Sequence, residues 1–196
     1  MCERTKFVIR PGFLALLTGI YLLDKDGVYV LCLAAAALHE LGHLAAIRAC
    51  SGRIVSITLS LDGGMIRHAE LSSRGEAVTA LAGPAVNLGI ALACAFLPVE
   101  WATEHLVLFT GANVALGLYN LLPVRPLDGG RFLEAQGWER GLWMIEPMVS
   151  VGFLIFGLYI SLKTRYNDTV LCAGVILTAR VLLRYFTKER MIQWKT

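Results

Sequence analysis

Charge is scarce in this chain of 196 residues: Asp, Glu, Lys and Arg make up 17% of it, against 56% hydrophobic residues. That balance excludes a disordered chain and fits a soluble domain poorly, because too little polar surface is available to face water. The mean hydropathy is correspondingly positive, at +0.61. Proline is rare, at 6 residues, so apolar helices of membrane length can run with few interruptions. The 5 cysteines, Cys2, Cys32, Cys50, Cys94 and Cys172, are odd in number and contain no C-x-x-C pair. A disulfide framework or a cysteine zinc site is therefore not expected, and small apolar packing residues are. With a net charge of only +3, direct binding of nucleic acid is not expected either. There is no internal repeat and no low-complexity tract. The opening MCERTKFVIRPGFLALLTGIYLL runs on into acidic DKD without a small-residue cleavage site, so it reads as a retained first helix rather than a signal peptide.

What the chain does have is apolar stretches, at 11–23, 27–47, 77–99, 105–124, 142–162 and 169 to about 186. The expected class is an all-α polytopic membrane protein of about six transmembrane helices, forming one domain over 1–196. At roughly 1.5 Å per residue a helix of about 21 residues crosses the hydrocarbon layer. The first stretch is shorter and would need Arg10 to snorkel or the bilayer to thin. Glu146 and Pro147 interrupt the fifth, and an interfacial position is favoured for them over a kink toward a polar cavity. Six spans put both ends of the chain on one side, and 15 of the 18 Lys and Arg fall there, leaving Lys25, Lys163 and Arg165 opposite. By the positive-inside rule both termini are cytoplasmic in a multi-pass cell-membrane protein.

The segment between the second and third stretches, RIVSITLSLDGGMIRHAELSSRGE, alternates β-branched with polar residues around Asp62-Gly63-Gly64. It reads as a small β-hairpin, with Val55, Ile57, Leu59 and Leu61 on one face and the turn at the D-G pair. An edge strand at the membrane boundary could take up an extended segment of another chain.

Polar chemistry concentrates in AAAALHELGHLAAIRAC, where His39, Glu40 and His43 lie in an otherwise apolar helix. Positions i and i+4 share a helix face, so the two imidazoles can converge on one ion while Glu40 flanks it. This H-E-x-x-H spacing in a hydrophobic setting favours metal binding over two core histidines and a glutamate paired to Arg48. A catalytic zinc takes three protein ligands and keeps a position open. A metzincin would need a histidine where Ala49 stands, which excludes that class. His68, Glu70 and Glu76 are candidates for the third ligand. Asp128 is a stronger one, because the second and fourth stretches both run inward and end near His43 and Asp128 respectively. Pro123 and Pro126 break the helix before Asp128, and irregular backbone at that depth is tolerated where it lines a polar cavity. A solvated turn aspartate is the competing role. Asn120 could orient a ligand or hold substrate backbone. Asn87, in the small-residue run around Gly83, must find a hydrogen bond, either as packing glue or as a substrate contact.

Three stretches together resemble the site-2 proteases, a family of intramembrane zinc metalloproteases: HELGH at 39–43, AGPAVN at 82–87 and NLLPVRPLDGGR at 120–131. The last is similar to the family's N-x-x-P-x-x-P-L-D-G signature. The resemblance extends from about residue 11 to 186 and is nearest to the compact bacterial branch of the stage IV sporulation protein FB. It implies His39, His43 and Asp128 as ligands of one Zn2+ per chain and Glu40 as the catalytic glutamate. Asn120, Asn87 and Pro126 are implied on the substrate side of the site. Sporulation members usually add a CBS domain and other members a PDZ insertion, and neither is expected here.

The implied activity is hydrolysis of a peptide bond in or next to the membrane segment of a membrane-associated protein. A precursor of a transcription regulator, such as a sporulation sigma factor, is the implied substrate class. The alternatives are a noncatalytic membrane protein that binds or transports a metal with the same ligands, and a scaffold without metal.

Overall fold

The first four helices start where the sequence supplies the means. A computed structural model describes residues 5–60, 63–164 and 168–193, with side chains as far as residue 187. Pro11 holds Arg10 extended and is the first residue of helix α1 (Pro11–Leu23), as its fixed φ and missing N–H favour. Gly27 precedes α2 (Val28–Ala49) at φ 74°, a left-handed position that suits glycine. The Asp24 carboxylate accepts from the first free amides of α2, Tyr29 N at 3.2 Å and Val30 N at 2.9 Å. Ser72 accepts from Gly75 N to cap α3 (Ser73–Ala95), and Thr103 accepts from Leu106 N to cap α4 (Glu104–Asn120). After these come α5 (Asp128–Ala135), α6 (Glu139–Thr164) and α7 (Thr169–Gln193).

Four of these helices, α2, α3, α6 and the segment Thr169–Thr187 of α7, are long and apolar enough to cross a membrane. The fold is thus mostly helical with four candidate spans, the mark of a membrane protein. The other two expected spans are shorter helices. With 13 and 17 residues, α1 and α4 extend about 20 Å and about 26 Å, against a hydrocarbon layer of about 30 Å. Boundaries shift where capping overrides hydropathy. Helix α3 begins at Ser73 rather than 77, because Ser72 and a polar first turn start it before the apolar run does.

The structure divides into two compact units, Met1–Leu121 and Leu122–Thr196. In the first, the expected hairpin is part of a three-stranded sheet. Strand β1 (Lys6–Ile9) pairs parallel with β2 (Ile54–Ser60), which pairs antiparallel with β3 (Gly63–His68). Phe7, Ile57 and Ile66 are in register, as are Lys6, Ser56 and Arg67, so one face of the sheet carries an apolar row and the other a polar row flanked by Val8, Thr58 and Met65. Ser60 pairs with Gly63, so Gly63 and Gly64 belong to β3 rather than to the turn expected at Asp62-Gly63-Gly64. Leu61 and Asp62 themselves lie outside the described residues, as does Cys2. A register shift between Ile54 and Ser56 interrupts the alternation at Val55.

In the second unit α6 and α7 pack along each other around Val124, Leu177 and Val181, with Val149, Phe153 and Tyr185 against them. Glu146 and Pro147, expected in the interface, sit inside α6, and Glu146 is 0% exposed. The proline removes the amide that would bond the Trp143 carbonyl one turn back. That carbonyl accepts from the Tyr185 hydroxyl of α7 instead.

Candidate metal centre

His39 and His43 lie on the buried face of α2, each 5% exposed. Helix α3 closes over them, and its small residues allow this. A Cβ on Gly42 would come within 2.7 Å of the Ala82 carbonyl oxygen. One on Gly83 would lie 2.5 Å from His43 Nε2 and 2.8 Å from His39 Cε1. The run AGPAVN therefore does more than pack helix on helix in an apolar medium. At Gly83 it brings backbone directly against both imidazoles.

The hydrogen bonds of the rings fix their tautomers. His39 Nδ1 donates to Asn87 Oδ1 at 2.6 Å, and His43 Nδ1 donates to the Thr79 carbonyl at 2.7 Å. Both partners are acceptors, so each Nδ1 carries the proton. Asn87 is oriented in turn, its amide nitrogen donating to the Ala35 carbonyl at 3.1 Å and to Asn113 Oδ1 at 2.7 Å. Asn113 donates back to the Phe109 carbonyl at 2.9 Å. Asn87 and Asn113 are both 0% exposed.

This leaves the two Nε2 atoms as the lone-pair nitrogens, and they face each other at 3.1 Å. Two lone pairs at that distance repel unless something positive sits against both. Ligands held about 2.0–2.1 Å from a tetrahedral zinc ion are about 3.3 Å apart, close to the observed separation. The donor set and its outer hydrogen bonds therefore fit a zinc ion.

Glu40 is half-buried on the neighbouring face of α2. Strand β3 passes beside it: a Cβ on Gly64 would lie 3.2 Å from Glu40 Cδ and 3.4 Å from Oε2. Among the other residues singled out in this unit, His68 is engaged with Glu76 at 3.8 Å and with the Ala69 carbonyl, while Glu70 is exposed. Asn120, at the end of α4, donates to the Leu116 carbonyl at 3.0 Å. Asn87, expected as glue or as a substrate contact, is engaged with His39, Ala35 and Asn113.

In the second unit Asp128 is not a solvated turn residue. It is the first residue of α5, 5% exposed, with Arg131 3.5 Å away. The glycines after it let α5 start tightly. A Cβ on Gly130 would stand 2.6 Å from the Val124 carbonyl carbon and 2.7 Å from Arg125 N. Pro126 is exposed. Arg125 is held by the carboxylate of Glu146, whose hydrogen bond and charge raise the affinity of the guanidinium for its proton. Sequence reasoning missed Thr79, Asn113 and the partnership of Arg125 with Glu146. Asn113 carried a signal, as an amide in the middle of an apolar helix. Thr79 carried none, since it acts through its carbonyl.

No protein-family model matches the chain. It is 35% identical over 136 residues to Rip3 of Mycobacterium tuberculosis, whose name assigns it to the zinc metalloproteases; the match covers 62% of this chain and 33% of Rip3. It is 34% identical over 135 residues to stage IV sporulation protein FB of Bacillus subtilis, covering 65% of this chain and 46% of that protein. The chain thus spans from a third to under half of the length of these curated relatives. A solved structure of the site-2 protease from Methanocaldococcus jannaschii is similar over 93% of both chains, with a TM-score of 0.63 at 20% identity. The sequence is thus similar to proteins named as zinc metalloproteases, and the backbone has the fold of the solved site-2 protease.

Proposed function

We propose that the protein is an intramembrane zinc metalloprotease, hydrolysing a peptide bond in or beside the membrane segment of a membrane-associated protein. One observation carries this reading: the paired Nε2 atoms of His39 and His43, tautomerically fixed and 3.1 Å apart on a buried helix face, with Glu40 next to them in sequence. His39, His43 and Asp128 are assigned as ligands of one zinc ion, each a buried side chain able to offer one ligand atom. The burial of Asp128 and its place in the P-L-D-G-G run support its inclusion. When bound, the ion supplies Lewis-acid polarisation of the scissile carbonyl and of the attacking water.

Glu40 accepts the proton of that water at its carboxylate and delivers it to the leaving amine. Asn87 and the Thr79 carbonyl hold the imidazoles in the ligating tautomer, so Asn87 is a positioning residue. Strand β3 is at the edge of the sheet order β1-β2-β3 and passes Glu40 at Gly64. Its outer edge is suited to take an unwound substrate segment by strand addition. Asn120 and Pro126 are assigned to the substrate side. The orientation proposed has both termini cytoplasmic, with α1 and α4 also embedded in the bilayer and the chain working as a single domain. The substrate class proposed is a membrane-tethered precursor of a transcription regulator, by likeness to the sporulation relative.

The test is cleavage of candidate single-pass substrates by the full chain in liposomes, with zinc content measured on the same preparations. Glu40→Gln is expected to abolish cleavage while keeping about one zinc per chain. Cleavage retained by that variant overturns the catalytic assignment. Zinc without cleavage in the wild type, across the substrates tried, favours a noncatalytic metal-binding protein.

A further inference from the structure

We propose that Glu146 is a positioning residue for Asp128, acting through the loop that leads into α5. The inference rests on the reading of Asp128 as a metal ligand. Glu146 is an ionisable group inside an apolar helix and wholly out of solvent, a costly placement that calls for a reason. Its Oε1 accepts from the Arg125 backbone N at 2.8 Å and from Arg125 Nε at 2.6 Å, and its Oε2 accepts from Nη2 at 3.1 Å. Arg184 of α7 adds a contact at 3.4 Å. The Arg125 guanidinium lies 4.7 Å from the Trp143 ring centroid, so α6 grips it from two sides.

The bond to the Arg125 main chain is the informative one. Neutralising a guanidinium would require only the side-chain contacts, whereas a carboxylate on the backbone amide fixes where the loop runs. From that point little slack remains before Asp128. Pro126 has a locked φ. Leu127 N bonds the Val124 carbonyl at 2.9 Å, and Arg131 N bonds the Leu127 carbonyl at 3.0 Å, which starts α5. Gly130 packs back onto Val124 and Arg125 at a distance that no Cβ could accept. A shift of the Arg125 backbone is therefore passed to the first turn of α5, where Asp128 sits.

The experiment measures zinc affinity of the full chain in detergent by competition with a chromophoric chelator, using Zn2+ alone as the probe. Folding is checked by circular dichroism and gel filtration. Glu146→Gln is expected to weaken zinc about 10-fold or more, and its Co2+-substituted absorption spectrum should move toward that of Asp128→Asn. In an Asp128→Asn background the same change should add less than about 2-fold, because a residue acting through Asp128 has nothing left to act on.

The double variant Arg125→Met with Glu146→Leu replaces the ion pair by apolar side chains, a swap that folds tolerate. It should show the same loss of zinc. Wild-type zinc affinity in either folded variant overturns the proposal, as does an equal loss in the Asp128→Asn background or failure of both variants to fold, which would make Glu146 purely structural. If Asp128→Asn itself leaves zinc affinity unchanged, the ligand assignment fails and the proposal falls with it. If only that variant weakens zinc, the ligand assignment stands and the role of Glu146 alone is lost.

Discussion

Two buried polar clusters, one in each unit, satisfy their atoms by different chemistry. Around α2, α3 and α4, His39, Asn87 and Asn113 are linked by short hydrogen bonds between neutral groups, ending on the carbonyls of Ala35 and Phe109. Around α6, Glu146, Arg125 and Arg184 meet as ions. The neutral chain leaves no net charge behind the imidazoles, so a cation at the Nε2 atoms keeps its full attraction for an anionic ligand and for polarised substrate. The ionic cluster can bear far more load on a loop, at a far greater cost if it is halved.

That contrast is tested most severely by Arg125→Met, which leaves the fully buried Glu146 carboxylate with the backbone amide of residue 125 at 2.8 Å and Arg184 at 3.4 Å as its partners. Removing one partner of a buried pair costs about 3–5 kcal/mol. The remaining guanidinium places this case toward the lower end of that range. Unfolding of the purified chain in mixed micelles, titrated with denaturing detergent, should show the loss. A change within about 0.5 kcal/mol would mean that the cluster is solvated and the contrast false.

The neutral cluster breaks differently. Asn87→Ala removes the acceptor of His39 Nδ1 and leaves a space the size of an amide. Freed from its partner, His39 can rotate or protonate on the wrong nitrogen, and zinc affinity should fall about 10- to 100-fold. Asn87→Asp keeps the acceptor and should retain more affinity than Ala. Equal affinities for the two variants would show that the Asn87 side chain serves packing alone.

The two clusters also differ in how far the sequence announces them. His39, Glu40 and His43 stand out because three ionisable groups at helical spacing are conspicuous in an apolar run, and their geometry is set within one helix. The bounds of α1 were legible for a similar local reason, since Pro11 starts it and an acidic run ends it. Glu146 was equally conspicuous, yet its burial depends on Arg125, 21 residues away, and on Arg184, 38 residues away. No local pattern encodes such a pairing, so an interfacial position looked the better place for a lone carboxylate. Asn87 and Asn113 find each other across 26 residues for the same reason. Strand β1 and helix α5, of 4 and 8 residues, are too short for periodicity to register. Gly83 looked like helix packing because sequence shows a small residue without showing what it approaches.

The smallest effect is expected at Thr79, and it is the one that isolates the neutral cluster's chemistry. The Thr79 carbonyl holds His43 Nδ1, but its hydroxyl is buried without a hydrogen-bond partner among the described residues. An unpaired buried hydroxyl costs about 1–3 kcal/mol, and valine has nearly the same shape with a methyl in its place. Thr79→Val should therefore leave zinc affinity unchanged within about 2-fold and hold or raise stability by up to about 1 kcal/mol, read from the detergent titration. It keeps the carbonyl that matters and removes only the atom that gains nothing. A fall in zinc affinity would show instead that the hydroxyl supports the imidazoles, and that the neutral cluster extends one group further along α3 than its hydrogen bonds reveal.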